Sequence, residues 1–312
     1  MALAALPEAL LLELSAVVVA VTAEEPRVLA IEGGAALPSG PFESDHRTLE
    51  LGLRAWVEEQ TRLPLGYVEQ LYTFADRDRA LAGPDKRVIS LSYLALSREA
   101  RVAMLPGAGW HNWYRYFPWE DWRDGPNALV AEMILPRLDA WAAAAPTEMR
   151  RQRRQRVAVA FGGDARSWND ELVLQRFELL YEAGLVPEAA RDRPLAAETT
   201  LPGQAMAHDH RRILATGIAR LRAKIKYRPV VFELMPQAFT LLQLQRAVEA
   251  LAGMRLHKQN FRRFIESQGL VEETGEMTAG TGGRPARLVR FRREVLLERA
   301  ASGTKLPLSR SA

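Results

Sequence analysis

Cysteine is absent from the 312 residues, which excludes disulfide bonds and thiolate metal sites. No apolar run is long enough to cross a bilayer, which takes roughly 20 residues. The longest, around 14–21, has the length of a strand. The opening MALAALPEALLLELSAVVVAV lacks the basic n-region of a secretory leader and carries Glu8 and Glu13 among its apolar residues. It is therefore expected to remain as strand, in a cytoplasmic protein with no membrane contact. The chain also lacks a strong overall charge, at +4, and its 48% hydrophobic and 26% charged residues are ordinary globular values. Its length suits two or three domains.

What charge there is lies in one place. Residues 205–300 hold eighteen Lys and Arg against nine Asp and Glu, so the remainder is mildly acidic. A positive footprint confined to part of a chain is what phosphate contact requires. Within it, FTLLQLQRAVEALAG (239–253) reads as an amphipathic helix. HKQNFRRFIESQGL (257–270) reads as a second, with Phe261, Phe264 and Ile265 at core spacing and Gly269 as its stop. Two short strand-like runs follow, joined by a Gly-rich tip carrying Arg284 and Arg287. Helix, helix, hairpin is the order of a winged helix-turn-helix, whose second helix enters the major groove while the wing lies on flanking phosphate. The expected base-edge residues are Gln259, Asn260, Arg262 and Arg263, with Lys258, Arg284 and Arg287 expected on phosphate. A solvated basic helix, or a winged helix that docks a partner protein, is the alternative reading.

The N-terminal half reads as a mixed α/β sandwich. Residues 15–21 and 27–32 are β-branched runs around a polar AEEP turn. LPSGPF (37–42) is a turn cluster, and 48–61 reads as a helix burying Leu49, Leu53, Trp56 and Val57. YVEQLYTF (67–74) and RVISLSYLAL (87–96) read as strands around a polar loop.

The segment LPSGPFESDHRTLELGLRAWVEEQTRL (37–63) resembles the box of the Nudix family, whose helix glutamates bind magnesium on a loop-helix-loop. Catalysis of that kind needs several carboxylates on one helical face. Here Ala55, Gln60 and Arg62 fall at or near motif positions, and a shift of one residue recovers Arg54 and the Glu58–Glu59 pair but leaves the set incomplete. A pocket that binds a nucleotide diphosphate without cleaving it is therefore expected, with no catalytic residues and no metal. The rival reading is an active Nudix pyrophosphatase acting on ADP-ribose-like substrates. Glu58 and Glu59 can also be read as a solvated helix face.

With EQLYTFADRDR, KYRPVVFELMPQAFTL (226–241) and the NFRRFI…GRPARL unit, the chain resembles the Nudix-related transcriptional regulators of NAD metabolism, the NrtR group. Its extra length between 118 and 201 is similar to the long alphaproteobacterial branch called NadQ. The resemblance implies a homodimeric repressor of NAD biosynthesis or salvage genes that binds double-stranded operator DNA. It requires no cofactor, and its effector is ADP-ribose, NAD or ATP. The implied ligand residues are Arg47, Arg54, Glu58, Glu59, Phe74, Arg77 and Arg87.

The expected division is a Nudix-like sensor over 10–118, a mostly helical insertion over 119–203, a linker helix over 204–227, the winged helix over 228–300 and a disordered tail over 301–312. In the insertion, 127–145 and 169–183 read as helices, and RRQRRQRVAVAF (150–161) reads as a basic surface turn leading into a strand. Trp110, Trp113, Tyr114, Trp119 and Trp122 are expected in a core or dimer contact, with adenine stacking as the alternative. His208 and His210 point to different sides of a helix and carry no metal assignment.

Overall fold

The run SAVVVAV makes the first long strand, β1 (Ala9–Thr22), and both of its faces are buried. Small and β-branched residues suit a strand covered on both sides. The computed structural model describes residues 9–76, 86–99, 104–162, 168–191, 200–278 and 285–294. At the end of β1, Ala23 and Glu24 both take positive φ, giving the two-residue turn that joins β1 to β2 (Glu25–Ala30). β3 (Ser39–Pro41), β4 (Tyr67–Phe74), β5 (Lys86–Leu96) and β6 (Gly109–Asn112) complete the sheet. Its order is β4-β5-β1-β2-β6, with β3 paired to β1. β1 and β5 are parallel; the other pairs are antiparallel.

Side-chain alternation divides the core in two. Leu14, Ala16 and Val18 of β1, with Tyr93 and Ala95 of β5, pack on Leu53 and Val57 of α1 (Leu49–Thr61). Val17 and Val19, with Leu94 and Leu96, face the other way onto Ile213, Ile218 and Leu221 of α5 (His210–Ile225). Gly217 lets α5 approach this closely, since a Cβ there would sit 2.8 Å from Val17 Cγ1. The helix α6 (Leu241–Ala252) packs on the same face, against β1 and β2. The sheet is thus sandwiched between α1 and the α5–α6 layer.

The stretch expected as an insertion is helical. α2 (Leu135–Ala143) follows a π-helical turn over Val130–Ile134. Pro136 explains the widened turn, because it has no N–H for the preceding turn. α3 (Thr147–Phe161) and α4 (Val173–Glu182) follow. The expected turn and strand over 150–161 are instead this helix. Pro146 precedes its first turn, the Arg, Gln, Glu and Met that follow favour helix, and Val157, Ala160 and Phe161 form its buried stripe. The linker helix expected over 204–227 begins at His210, because His208 adopts a left-handed φ of 49°. Trp113 and Trp119 are fully buried, and the rings of Trp122 and Trp168 lie 4.4 Å apart, tilted by 37°. α7 (Lys258–Ser267), β7 (Val271–Met277) and β8 (Arg287–Phe291) close the described chain.

Candidate nucleic-acid interface and sensor face

The C-terminal unit is organised by the caps and turn of α6. Thr240 accepts from Gln243 N–H at 3.1 Å, while Gln243 Oε1 accepts from Thr240 N–H at 2.7 Å, a reciprocal capping box. At its other end, buried Glu249 takes Gln245 Nε2 at 2.8 Å, Leu256 N–H at 3.0 Å, Arg246 at 3.0 Å and Arg255 at 3.1 Å. Burial alone raises the pKa of Glu249, and these hydrogen bonds outweigh it to hold the carboxyl below its ordinary value. One carboxylate thereby fixes the turn between α6 and α7.

That turn presents α7 to solvent. Lys258, Gln259, Asn260, Arg262 and Arg263 are all exposed, and only Ile265 of this helix is buried. Asn260 Oδ1 accepts from Arg263 at 3.2 Å. Among the described residues, Lys258, Arg262 and Arg263 pair with no carboxylate, so their charge is free for an outside anion. Phe264, expected in the core, is 54% exposed. It lines an open, mainly apolar groove of about 800 Å³ with Phe261 and Tyr227, because the layer that would cover it is absent on that side of α7 among the described residues.

The wing is a two-stranded hairpin, extended by Phe239, which exchanges both backbone hydrogen bonds with Val289 at 2.9 and 2.8 Å. Phe291 stacks on Phe232 with ring centroids 4.2 Å apart, seating the wing on the turn before α6. Arg287 pairs with Glu273 across the strands, and Arg290 with Glu272, each at 2.6 Å. Arg287 is 71% exposed, and such a pair is weak enough for phosphate to compete. Arg284 lies outside the described residues.

In the N-terminal domain, the candidate ligand residues separate. Arg54 binds Glu50 at 2.8 Å and donates to the carbonyls of Leu65 and Gly66, tying α1 to the next loop. Gln60 grips both backbone groups of Ser39, and Trp56 donates to Pro41 O at 2.8 Å. Ala55, Glu58, Glu59, Arg62 and Arg47 are exposed. Phe74 belongs to the core on the opposite sheet face, under the guanidinium of Arg212 at 5.0 Å. Arg77 and the side chain of Arg87 lie outside the described residues. These positions therefore do not all line one cavity.

His208 and His210, expected on different sides of a helix, instead lie with ring centroids 5.3 Å apart at one niche of about 20 Å³ on the α5 side, beside Glu13 and Ser90, because His208 precedes the helix. That volume admits about one water or hydroxyl. His210 Nδ1 accepts from Leu37 N–H at 3.0 Å, while its buried Nε2 has no partner among the described residues. Burial, with the nearby His208 and Arg191, pushes its pKa down to about 3, so the ring is neutral. Burial also raises the pKa of Glu13, with His208 and Ser39 opposing.

A family model described as the NrtR DNA-binding winged helix domain matches residues 231–291. This stretch is an NrtR-type winged helix. A curated relative, the ADPR responsive transcriptional repressor NtrR of Acinetobacter baylyi, is 42% identical over 86 residues. The match covers 28% of this chain and spans only 34% of that relative's length. The crystal structure of Shewanella oneidensis NrtR complexed with a 27mer DNA is similar over 91% of this chain and 94% of its own, at 20% identity and a TM-score of 0.53. A MutT/nudix family protein from Enterococcus faecalis is similar over 94% and 90%, at 16% identity and a TM-score of 0.53. The chain therefore shares the fold of NrtR, a Nudix-like domain with a winged helix; α2, α3 and α4 lie within the stretch expected as an insertion.

Proposed function

We propose that this chain is a DNA-binding transcriptional repressor of NAD biosynthesis or salvage genes, acting in the cytoplasm as a homodimer and controlled by an adenine-nucleotide effector. The observation that carries it is α7, an exposed helix of an NrtR-type winged helix whose Lys258, Arg262 and Arg263 are unpaired with carboxylates among the described residues. Lys258, with Arg284 and Arg287 of the wing, meets phosphate; Gln259, Asn260, Arg262 and Arg263 meet base edges. Two such helices on a dimer would read the halves of a pseudo-palindromic operator. The effector is ADP-ribose, NAD or ATP; ADP-ribose is favoured because the curated relative is described as ADPR responsive. We assign the sensor to 10–118, the insertion to 119–203, the connecting helix to 204–227 and the reader to 228–300.

The sensor binds without hydrolysing. A hydrolase of this fold would need magnesium on α1, and the residues present do not fit it. Glu50 is taken by Arg54, Gln60 by Ser39, and position 55 is alanine. Among the described residues, the carboxylate and imidazole group close enough to share a cation is Glu43, Asp45 and His46, before the helix. His46 Nδ1 there already accepts from Glu43 N–H.

Fluorescence anisotropy on promoter DNA of NAD biosynthesis genes, with and without ADP-ribose, NAD and ATP, tests this reading. Sequence-selective binding shifted by one nucleotide is the expected result. Rapid release of AMP from ADP-ribose and magnesium, with no selective DNA binding, would overturn it.

A further inference from the structure

The insertion and the reader meet at a buried cluster of charge. Glu120 carries two guanidiniums: Arg176 of α4 binds it at 2.5 and 2.9 Å, and Arg222 of α5 at 2.7 Å. All three side chains are at most 1% exposed. One carboxylate against two guanidiniums leaves a buried positive charge, which needs further acceptors. Arg176 spends its remaining donors on Ala160 O and Asn169 O, both at 2.9 Å, and lies 3.8 Å from the ring of Trp168. Arg222 donates from Nη1 to Asp170 O at 3.1 Å, from Nη2 to Glu120 O at 3.2 Å, and from Nε to Leu251 O at 2.8 Å in the last turn of α6, which is its bond to the reader. Helix C-terminal carbonyls carry partial negative charge, so the end of α6 is one of the acceptors that offset the charge of the cluster.

Three further contacts converge on the same turn. Tyr114 OH donates to Ala250 O at 2.8 Å, and Trp122 N–H donates to Gly253 O at 2.7 Å. Gly253 has φ 73°, and a Cβ there would stand 2.4 Å from Glu120 O and 2.8 Å from Arg222 Nη2. The bend that launches α7 is thus pressed against the backbone of Glu120 with no room for a side chain.

We propose that Glu120, Arg222 and Tyr114 are positioning residues for DNA recognition, latching the α6–α7 turn to the insertion so that the recognition helix has one orientation relative to the sensor. This inference rests on the DNA-binding reading. The insertion thereby acquires a structural role, since α4 supplies Arg176, which keeps Glu120 in place for Arg222. Movement of the reader away from the body would leave the buried Nε of Arg222 without its acceptor while the other donors stay on Glu120 and Asp170, so the latch favours a single docked state. A change in the sensor can reach α7 through α5, because Arg222 is on that helix.

The test uses the full chain, with DNA selected from a random duplex pool by the wild-type protein and a scrambled duplex of equal length. Arg222→Met leaves Glu120 paired with Arg176 and leaves α7 untouched; Tyr114→Phe removes the hydroxyl bonds to Ala250 O and from Arg222 Nη2 and keeps the ring. The expected result is a loss of about tenfold in the selected-to-scrambled affinity ratio for Arg222→Met and about threefold for Tyr114→Phe, as misplaced base contacts would give. Binding to the scrambled duplex and its salt slope should not change. Hydrogen exchange without DNA should speed up selectively in residues 254–262 relative to β1 and β5. A purely stabilising role would slow or speed exchange throughout and leave the affinity ratio of the folded protein intact, and that result overturns the proposal. If Arg222→Met fails to fold, Tyr114→Phe decides. Faster exchange in 254–262 for the variants of a chain whose wild type selects no DNA would uphold the latch and sink the DNA-binding reading instead.

Discussion

Gln60 clasps Ser39 with both ends of its amide: Oε1 accepts from Ser39 N–H at 3.1 Å and Nε2 donates to Ser39 O at 2.7 Å. The clasp fixes β3 to α1 at a position where a Nudix hydrolase would be expected to need a carboxylate. Gln60→Glu would set a carboxylate oxygen against the Ser39 carbonyl, removing a donor and adding repulsion. The variant should lose about 1–3 kcal/mol of stability at neutral pH and gain no magnesium-dependent cleavage of ADP-ribose. Urea melts and an AMP assay measure the two; appearance of cleavage would show that position 60 can still reach a metal.

Thr240 starts α6 through its half of the capping box. Thr240→Ala should cost about 1 kcal/mol, read as a lower urea midpoint with an unchanged denaturant slope. Thr240→Ser keeps the hydroxyl and should recover most of the loss. Equal losses from both would place the effect in the methyl group instead.

His210 gives a pH dependence with a definite sign. Its folded pKa is lowered to about 3 from 6.5, chiefly by burial. Below 6.5 the unfolded chain takes up a proton that the folded chain refuses. The contribution is therefore complete above 6.5 and declines as the pH falls toward 3, with a slope of up to about 1.4 kcal/mol per pH unit. His210→Gln can still accept from Leu37 N–H and does not titrate. Stability measured between pH 7 and 5 should fall more steeply for wild type than for the variant, and parallel curves would refute this assignment.

Lys258→Ala should weaken binding to every duplex and lower the salt slope by about 0.9 for each phosphate no longer neutralised. Gln259→Ala should leave the slope alone and relax selectivity at one base pair, by about 1–3 kcal/mol. Titrations at several salt concentrations separate the two. A steeper slope for Lys258→Ala, or unchanged selectivity for Gln259→Ala, would move these side chains off their assigned partners.

Local pattern makes much of this fold readable. The strand-forming residues of 67–74 and the apolar spacing in 49–57 depend on neighbours in sequence, and the structure has β4 and α1 there. The order of α6, α7 and the wing is legible for the same reason. Helix α3 departs from its expected strand because VAVAF has strand-like residues, while the helix-favouring Arg and Gln before it decide the outcome. Phe264 sits at core spacing yet stands exposed, because spacing gives a face and does not say whether anything covers it. Arg176, Arg222 and Glu120 leave no mark in the sequence pattern. A charged residue on a helix reads as surface, and burial comes only from partners 56 and 102 positions away. The separation of Phe74 from the α1 residues has a similar origin, since sheet face depends on pairing and register across the whole domain.

The bare hydrogen at position 217 has a consequence for how this chain can vary. Gly217 sets the thickness of the layer between α5 and Val17, and the two ends of that helix engage Leu37 and Leu251. Adding even a methyl group would wedge the rod upward and swing both tips together. The tilt of α5 could thereby be retuned from a buried site that belongs to neither α1 nor α7, much as shimming a seesaw at its fulcrum alters both seats.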